Sequence, residues 1–67
     1  DCALLEKDGI IVLDFKTDHV TESTVAGAAE RYRLQVQTYA EALSRIYEMP
    51  VKAKYLYFFQ LGRFMEV

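Results

Sequence analysis

The sequence predicts an α/β fold: a mixed sheet with one long helix on one face, in the order strand, strand, helix, strand, strand. Three observations carry that prediction. CALLE, KDG and IIVLDFK follow one another as a hairpin would. A longer stretch then repeats its apolar residues at helical steps, and the chain closes on two β-rich runs, VKAKYLYFF and FMEV, divided by QLGR.

Residues 1–16 read as two antiparallel strands, because Asp8-Gly9 offers the positive-φ positions that tight turns demand. TDHVTESTVAG is polar and punctuated by Thr, Ser and Gly, so it reads as a loop. From about Ala26 to Glu48 the residues Tyr32, Val36, Tyr39, Ala40, Leu43 and Tyr47 recur at the spacing of an amphipathic helix. Met49-Pro50 should end that helix, since a residue before proline disfavours helical geometry. VKAKYLYFF is apolar on both faces toward its end, as an inner strand is, and QLGR turns the chain into a short last strand. There are no internal repeats and no sign of a second domain. A lone helix covers one face of a sheet, so the other is expected to be bare.

Composition narrows the function classes. The 67 residues make a small domain, 52% hydrophobic, with five Tyr and four Phe, which points to an ordered core. Eight Lys and Arg stand against ten Asp and Glu, a net charge of −2, so no overall basic field draws nucleic acid to the chain. Any grip on DNA must be local. Cys2 is the single cysteine, which excludes a disulfide framework and a cysteine metal cluster. No apolar run spans a membrane, and a cytoplasmic location is expected.

The end of the second strand holds the candidate chemistry. Side chains alternate along a strand, so Asp14 and Lys16 share one face while Leu13 and Phe15 share the other. Pairing around the Lys7-Asp8-Gly9 turn is expected to bring Asp1 near Asp14. Two carboxylates and the Phe15 carbonyl are a sufficient protein contribution for Mg²⁺, or Mn²⁺, which takes its other ligands from water and substrate phosphate. Lys16 is then placed to stabilise charge on a phosphate. The plainer reading is a solvated ion pair worth about 0 to 1 kcal/mol. On the helix, Gln35 falls three after Tyr32 and four before Tyr39, inside the apolar stripe. It is either a buried amide satisfied by backbone or, with Tyr39, a hold on a substrate strand.

Taken together, Asp1, Asp14-Phe15-Lys16 and Gln35-Val-Gln-Thr-Tyr39 resemble the RecB-family nuclease domain of the PD-(D/E)XK superfamily. The resemblance implies a truncated restriction-endonuclease-like core, with residues 1–67 one partial nuclease domain of a larger protein. It implies Asp1, Asp14 and Phe15 as metal ligands, with Asp14, Lys16, Gln35 and Tyr39 as catalytic or supporting residues on DNA. The implied activity is Mg²⁺-dependent exonuclease action within an ATP-dependent helicase/nuclease that serves double-strand break repair and recombination. The implied partners are DNA and a second helicase/nuclease subunit. The alternative is a non-catalytic module that binds DNA or a partner subunit. The family's domain begins upstream of these motifs, and no phosphate-binding Gly-x-x-x-x-Gly-Lys loop is present, so the isolated chain is expected to be a weak enzyme or inactive.

The remaining residues read as structure. His19 and Asp18 are expected to be solvated in the loop, Tyr55 to Phe59 to be core, and Cys2 to be a small buried hydrophobe. Lys52, Lys54, Arg31, Arg33 and Arg45 are scattered, most of them solvated. A bare sheet face is expected to favour self-association of the isolated chain.

Overall fold

A computed structural model describes residues 2–67; Asp1, one of the expected metal ligands, lies outside the described residues. The elements are β1 (Cys2–Glu6), β2 (Gly9–Lys16), α1 (Val25–Tyr47), β3 (Val51–Phe58) and β4 (Arg63–Glu66). They build one four-stranded sheet in the spatial order β1-β2-β3-β4. β1 pairs antiparallel with β2, β2 parallel with β3, and β3 antiparallel with β4. Parallel neighbours need a crossover, and α1 supplies it.

The hairpin turn lies one residue earlier than the Asp8-Gly9 signal suggests. Glu6 pairs with Gly9, so Lys7 and Asp8 form the turn and Gly9 opens β2. Of the two expected positive-φ residues, only Gly9 has one, at 156°. Its role is close approach: a Cβ at Gly9 would stand 2.9 Å from the Pro50 carbonyl oxygen, which accepts the Ile10 N–H at 2.9 Å. The β1–β2 turn is thereby pressed against the start of β3.

The helix begins at Val25, one residue before the expected Ala26, so the VAG end of the stretch read as loop is its first turn. Its stop is Glu48, in the left-handed region at φ 54° and ψ 43°, rather than the Met49-Pro50 step. There the Met49 N–H donates to the Ser44 carbonyl, and the Ser44 hydroxyl donates to the Met49 carbonyl at 2.6 Å. Tyr47, placed in the apolar stripe by spacing, is exposed in the last turn.

Alternation sorts each strand. The helix-facing set includes Ile10, Val12 and Asp14 on β2 with Leu56 and Phe58 on β3, all buried. Against them α1 lays Val25, Ala28, Ala29, Val36 and Ala40, whose small side chains let the helix approach the sheet closely. Tyr32, Tyr39 and Leu43 pack around this cluster half-buried. On the opposite face, Leu4, Ile11, Leu13, Tyr55 and Phe64 line an open apolar depression of about 330 Å³. Phe15 stacks on Phe59 at 5.8 Å between centroids, and Tyr57 leans on Phe64 at 4.6 Å.

The expectation that Tyr55 to Phe59 is core therefore holds only for Leu56 and Phe58. No described element covers the aromatic side of β3, so Tyr55 and Tyr57 stay half-buried and Phe59 exposed. Cys2 is likewise half-buried rather than buried.

Candidate functional site

Asp14 is the buried polar residue of the described chain, 5% exposed, on the sheet face that α1 covers. The alternation that buries Ile10 and Val12 carries it there. Lys16, two residues on along the same face, reaches back so that its Nζ stands 3.0 Å from Asp14 Oδ2. The ammonium also donates to Gln35 Oε1 at 3.1 Å and sits 4.0 Å from the centroid of the Tyr32 ring. An ammonium has three N–H donors, and here it has two oxygen acceptors and an aromatic face. A carboxylate so shielded from water needs such a counter-charge.

Gln35 is not a buried amide. It is exposed at the rim of the stripe, and its acceptor is turned to Lys16. The structure thus brings Asp14, Lys16 and Gln35 together. Tyr39, one helical turn beyond Gln35, packs half-buried on the core, and no side-chain hydrogen bond joins it to Asp14 or Lys16 among the described residues. His19 is exposed in the loop, as expected.

Two residues of this cluster were not singled out as functional by the sequence. Tyr32 counts as apolar in a periodicity, yet its hydroxyl donates to Asp18 Oδ2 at 2.5 Å. Asp18, expected to be solvated, is half-buried. The Asp18 carboxylate that accepts this bond, helped by partial desolvation, raises the Tyr32 phenol above its ordinary value, against the opposing charges of Lys16 and Arg31. The one available signal was the spacing of Lys16, Asp18 and Tyr32, and it is weak.

The backbone adds one more oxygen. The Lys16 carbonyl accepts the Phe59 N–H at 3.1 Å on the β3 side, and strand alternation turns the Phe15 carbonyl to the other edge. Leu13 is the last β2 residue paired to a described residue of β1, so Phe15 lies beyond that ladder. Asp14 and Phe15 thus offer oxygen donors alone, the kind that a hard cation such as Mg²⁺ takes. Among the described residues no group of three or more His, Cys, Asp or Glu is placed to hold a metal ion.

What fold and site define at this level is a small α/β domain whose second strand ends in a buried acid locked to an ammonium under a helix. Three relatives share its sequence nearly end to end, and each is named as the A subunit of an ATP-dependent helicase/nuclease. That of Thermoanaerobacter sp. (strain X514) is 42% identical over 66 residues, covering 98% of this chain and 5% of the relative. Those of Acetivibrio thermocellus and Alkaliphilus oremlandii are 43% and 46% identical over 65 and 63 residues, covering 97% and 94% of this chain and again 5% of each relative. The chain spans about 5% of the length of the curated relatives it matches. No protein-family model matches it. No helix among the described residues is long and apolar enough to cross a membrane.

Proposed function

We propose that this chain is part of a metal-dependent DNA exonuclease domain, of the truncated restriction-endonuclease-like kind, within a cytoplasmic helicase/nuclease complex that works in double-strand break repair and recombination. The supporting observation is the buried Asp14 carboxylate with the Lys16 ammonium at 3.0 Å and Gln35 holding that ammonium from the helix. The relatives' shared name supports the setting. DNA is the substrate, and a second helicase/nuclease subunit is the partner.

Asp14 and the Phe15 carbonyl would hold Mg²⁺, or Mn²⁺, with Asp1, which precedes Cys2 in the sequence, as second carboxylate. Bound there, the cation supplies Lewis-acid polarisation of a phosphoryl oxygen and a water of lowered pKa. Asp14, paired with Lys16 at 3.0 Å, would then share its carboxylate between the ammonium and the cation. Lys16, with two of its three N–H donors on Asp14 and Gln35, directs an N–H to a non-bridging phosphate oxygen, where it stabilises the charge that builds up in the transition state. Gln35 keeps the ammonium at the strand end, and Tyr39, a turn away, supports the DNA strand. In the full-length protein that carries this chain, Lys16→Ala or Asp14→Asn should cut Mg²⁺-dependent DNA hydrolysis by about 10²-fold or more. Unchanged cleavage rejects the reading.

A second reading has its own support. The ion pair is closed, and the described residues hold no three-ligand cluster. On that reading the domain binds DNA or the partner subunit without catalysis, and chelation of divalent metal leaves its binding unchanged.

A further inference from the structure

We propose that Tyr32, anchored by Asp18, is a positioning residue that fixes where the Lys16 ammonium stands. The inference rests on the reading of Lys16 as the residue that meets the phosphate, and it adds a platform beneath it.

The physical starting point is the reach of a lysine. A four-carbon stem with a single charge at its tip has many rotamers, and one ion pair does not select among them. Here the tip is constrained from separate directions. Asp14 holds it from its own strand at 3.0 Å, Gln35 from the helix at 3.1 Å, and the Tyr32 ring lies 4.0 Å away. The first two contacts compete with substrate, because a cation draws on Asp14 and a phosphate draws on the ammonium's donors. The ring face does not compete. It attracts an ammonium through its quadrupole and leaves the N–H groups free to turn. When a phosphate draws on the N–H donors, the Tyr32 ring holds the ammonium without occupying one of them.

The ring must itself be held. Tyr32 sits half-buried against the core on α1, and its hydroxyl is tied at 2.5 Å to Asp18, two residues beyond Lys16 in the chain. The Lys16–Asp18 segment and the helix are thus joined by one aromatic strut. A phenol is protonated throughout the neutral range, and the Asp18 carboxylate that accepts its bond pushes it further that way.

The test reads Lys16 directly. In the full-length protein that carries this chain, amine acylation of each lysine is followed by mass spectrometry, with Lys7 and Lys54 as internal references. Tyr32→Leu should raise the labelling rate of Lys16 relative to those references by about fivefold, while Tyr32→Phe, which keeps the ring but loses its bond to Asp18, should give a smaller rise. Asp18→Ala removes no core side chain and no hydrogen-bond or ion-pair partner of Lys16, yet it should loosen Lys16 in the same direction. On DNA, Tyr32→Leu should lower kcat and leave KM nearly unchanged. Equal Lys16 labelling in wild type, Tyr32→Leu and Asp18→Ala overturns the proposal. If Tyr32→Leu does not fold, Asp18→Ala decides alone. If instead Lys16→Ala leaves cleavage intact while the labelling pattern holds, the nuclease reading fails and the strut stands.

Discussion

Lys16 Nζ stands 3.0 Å from Asp14 Oδ2 on one face of one strand, with the carboxylate buried under the helix. The partners are two residues apart in sequence and need no long-range contact to meet. Their consequences reach further, because a buried charge that loses its partner is costly.

Lys16→Ala should therefore destabilise the chain by about 3 kcal/mol, measured by urea unfolding. The double variant Asp14→Asn/Lys16→Met should recover most of that loss. Millimolar Mg²⁺ should raise the melting temperature of Lys16→Ala more than that of wild type, since a dication can replace the missing ammonium beside Asp14.

Gly9 separates close approach from ordinary turn geometry. A Cβ there meets the Pro50 carbonyl at 2.9 Å, whereas at Gly62, with φ 61°, the nearest atom would be the Tyr57 hydroxyl at 3.8 Å. Gly9→Ala should cost about 2 to 3 kcal/mol and Gly62→Ala about 1 kcal/mol in thermal unfolding. Equal costs would mean that the turn is free to move away from β3.

The hairpin tip has a pH signature. Lys52 Nζ bonds Glu6 at 2.8 Å and Asp8 at 2.9 Å. The hydrogen bond from Lys52, then the bond within Asp8 itself, holds the Asp8 carboxyl below its ordinary value, and the bonds to Glu6 and then Asp8 hold the Lys52 ammonium above its own. The Asp8 contribution is thus complete above its ordinary value of 3.8 and is lost as pH falls through the lowered one. The Lys52 contribution is complete below 10.5 and is lost as pH rises through the raised value. All three groups are on the surface, so the effect is small. Lys52→Met should flatten both limbs of a melting temperature profile against pH.

The bare face should make the isolated chain associate. Phe59 and Phe64 are each 56% exposed beside the apolar depression. Sedimentation of the wild-type chain should show concentration-dependent oligomers, and Phe59→Lys/Phe64→Lys should sediment as monomer with unchanged helicity. A wild-type chain that stays monomeric at high concentration contradicts this.

What the sequence revealed follows from what its patterns measure. Period two placed Asp14 and Lys16 on a common face because that alternation is local to β2. Helical spacing placed Val36, Ala40 and Tyr39 inward, but it scores a tyrosine as apolar and cannot see its hydroxyl, so the Tyr32–Asp18 bond was hidden. The same blindness put Tyr47 in the stripe, though the helix unwinds beside it at Glu48. The run from Tyr55 to Phe59 looked like core on both faces, yet burial depends on what covers each face, and only one has a helix. Gly9 carried a true turn signal, but its position was decided by the Pro50 carbonyl across the sheet, a contact distant in sequence.

The central claim, that a divalent cation binds at the end of β2, is tested most directly by titrating Mn²⁺ while following amide resonances. Saturable paramagnetic broadening is expected to centre on Asp14, Phe15 and Lys16, to be displaced by Mg²⁺ and to be abolished by Asp14→Ala. Broadening that is absent there, or that centres instead on Glu6 and Asp8 and survives Asp14→Ala, contradicts it.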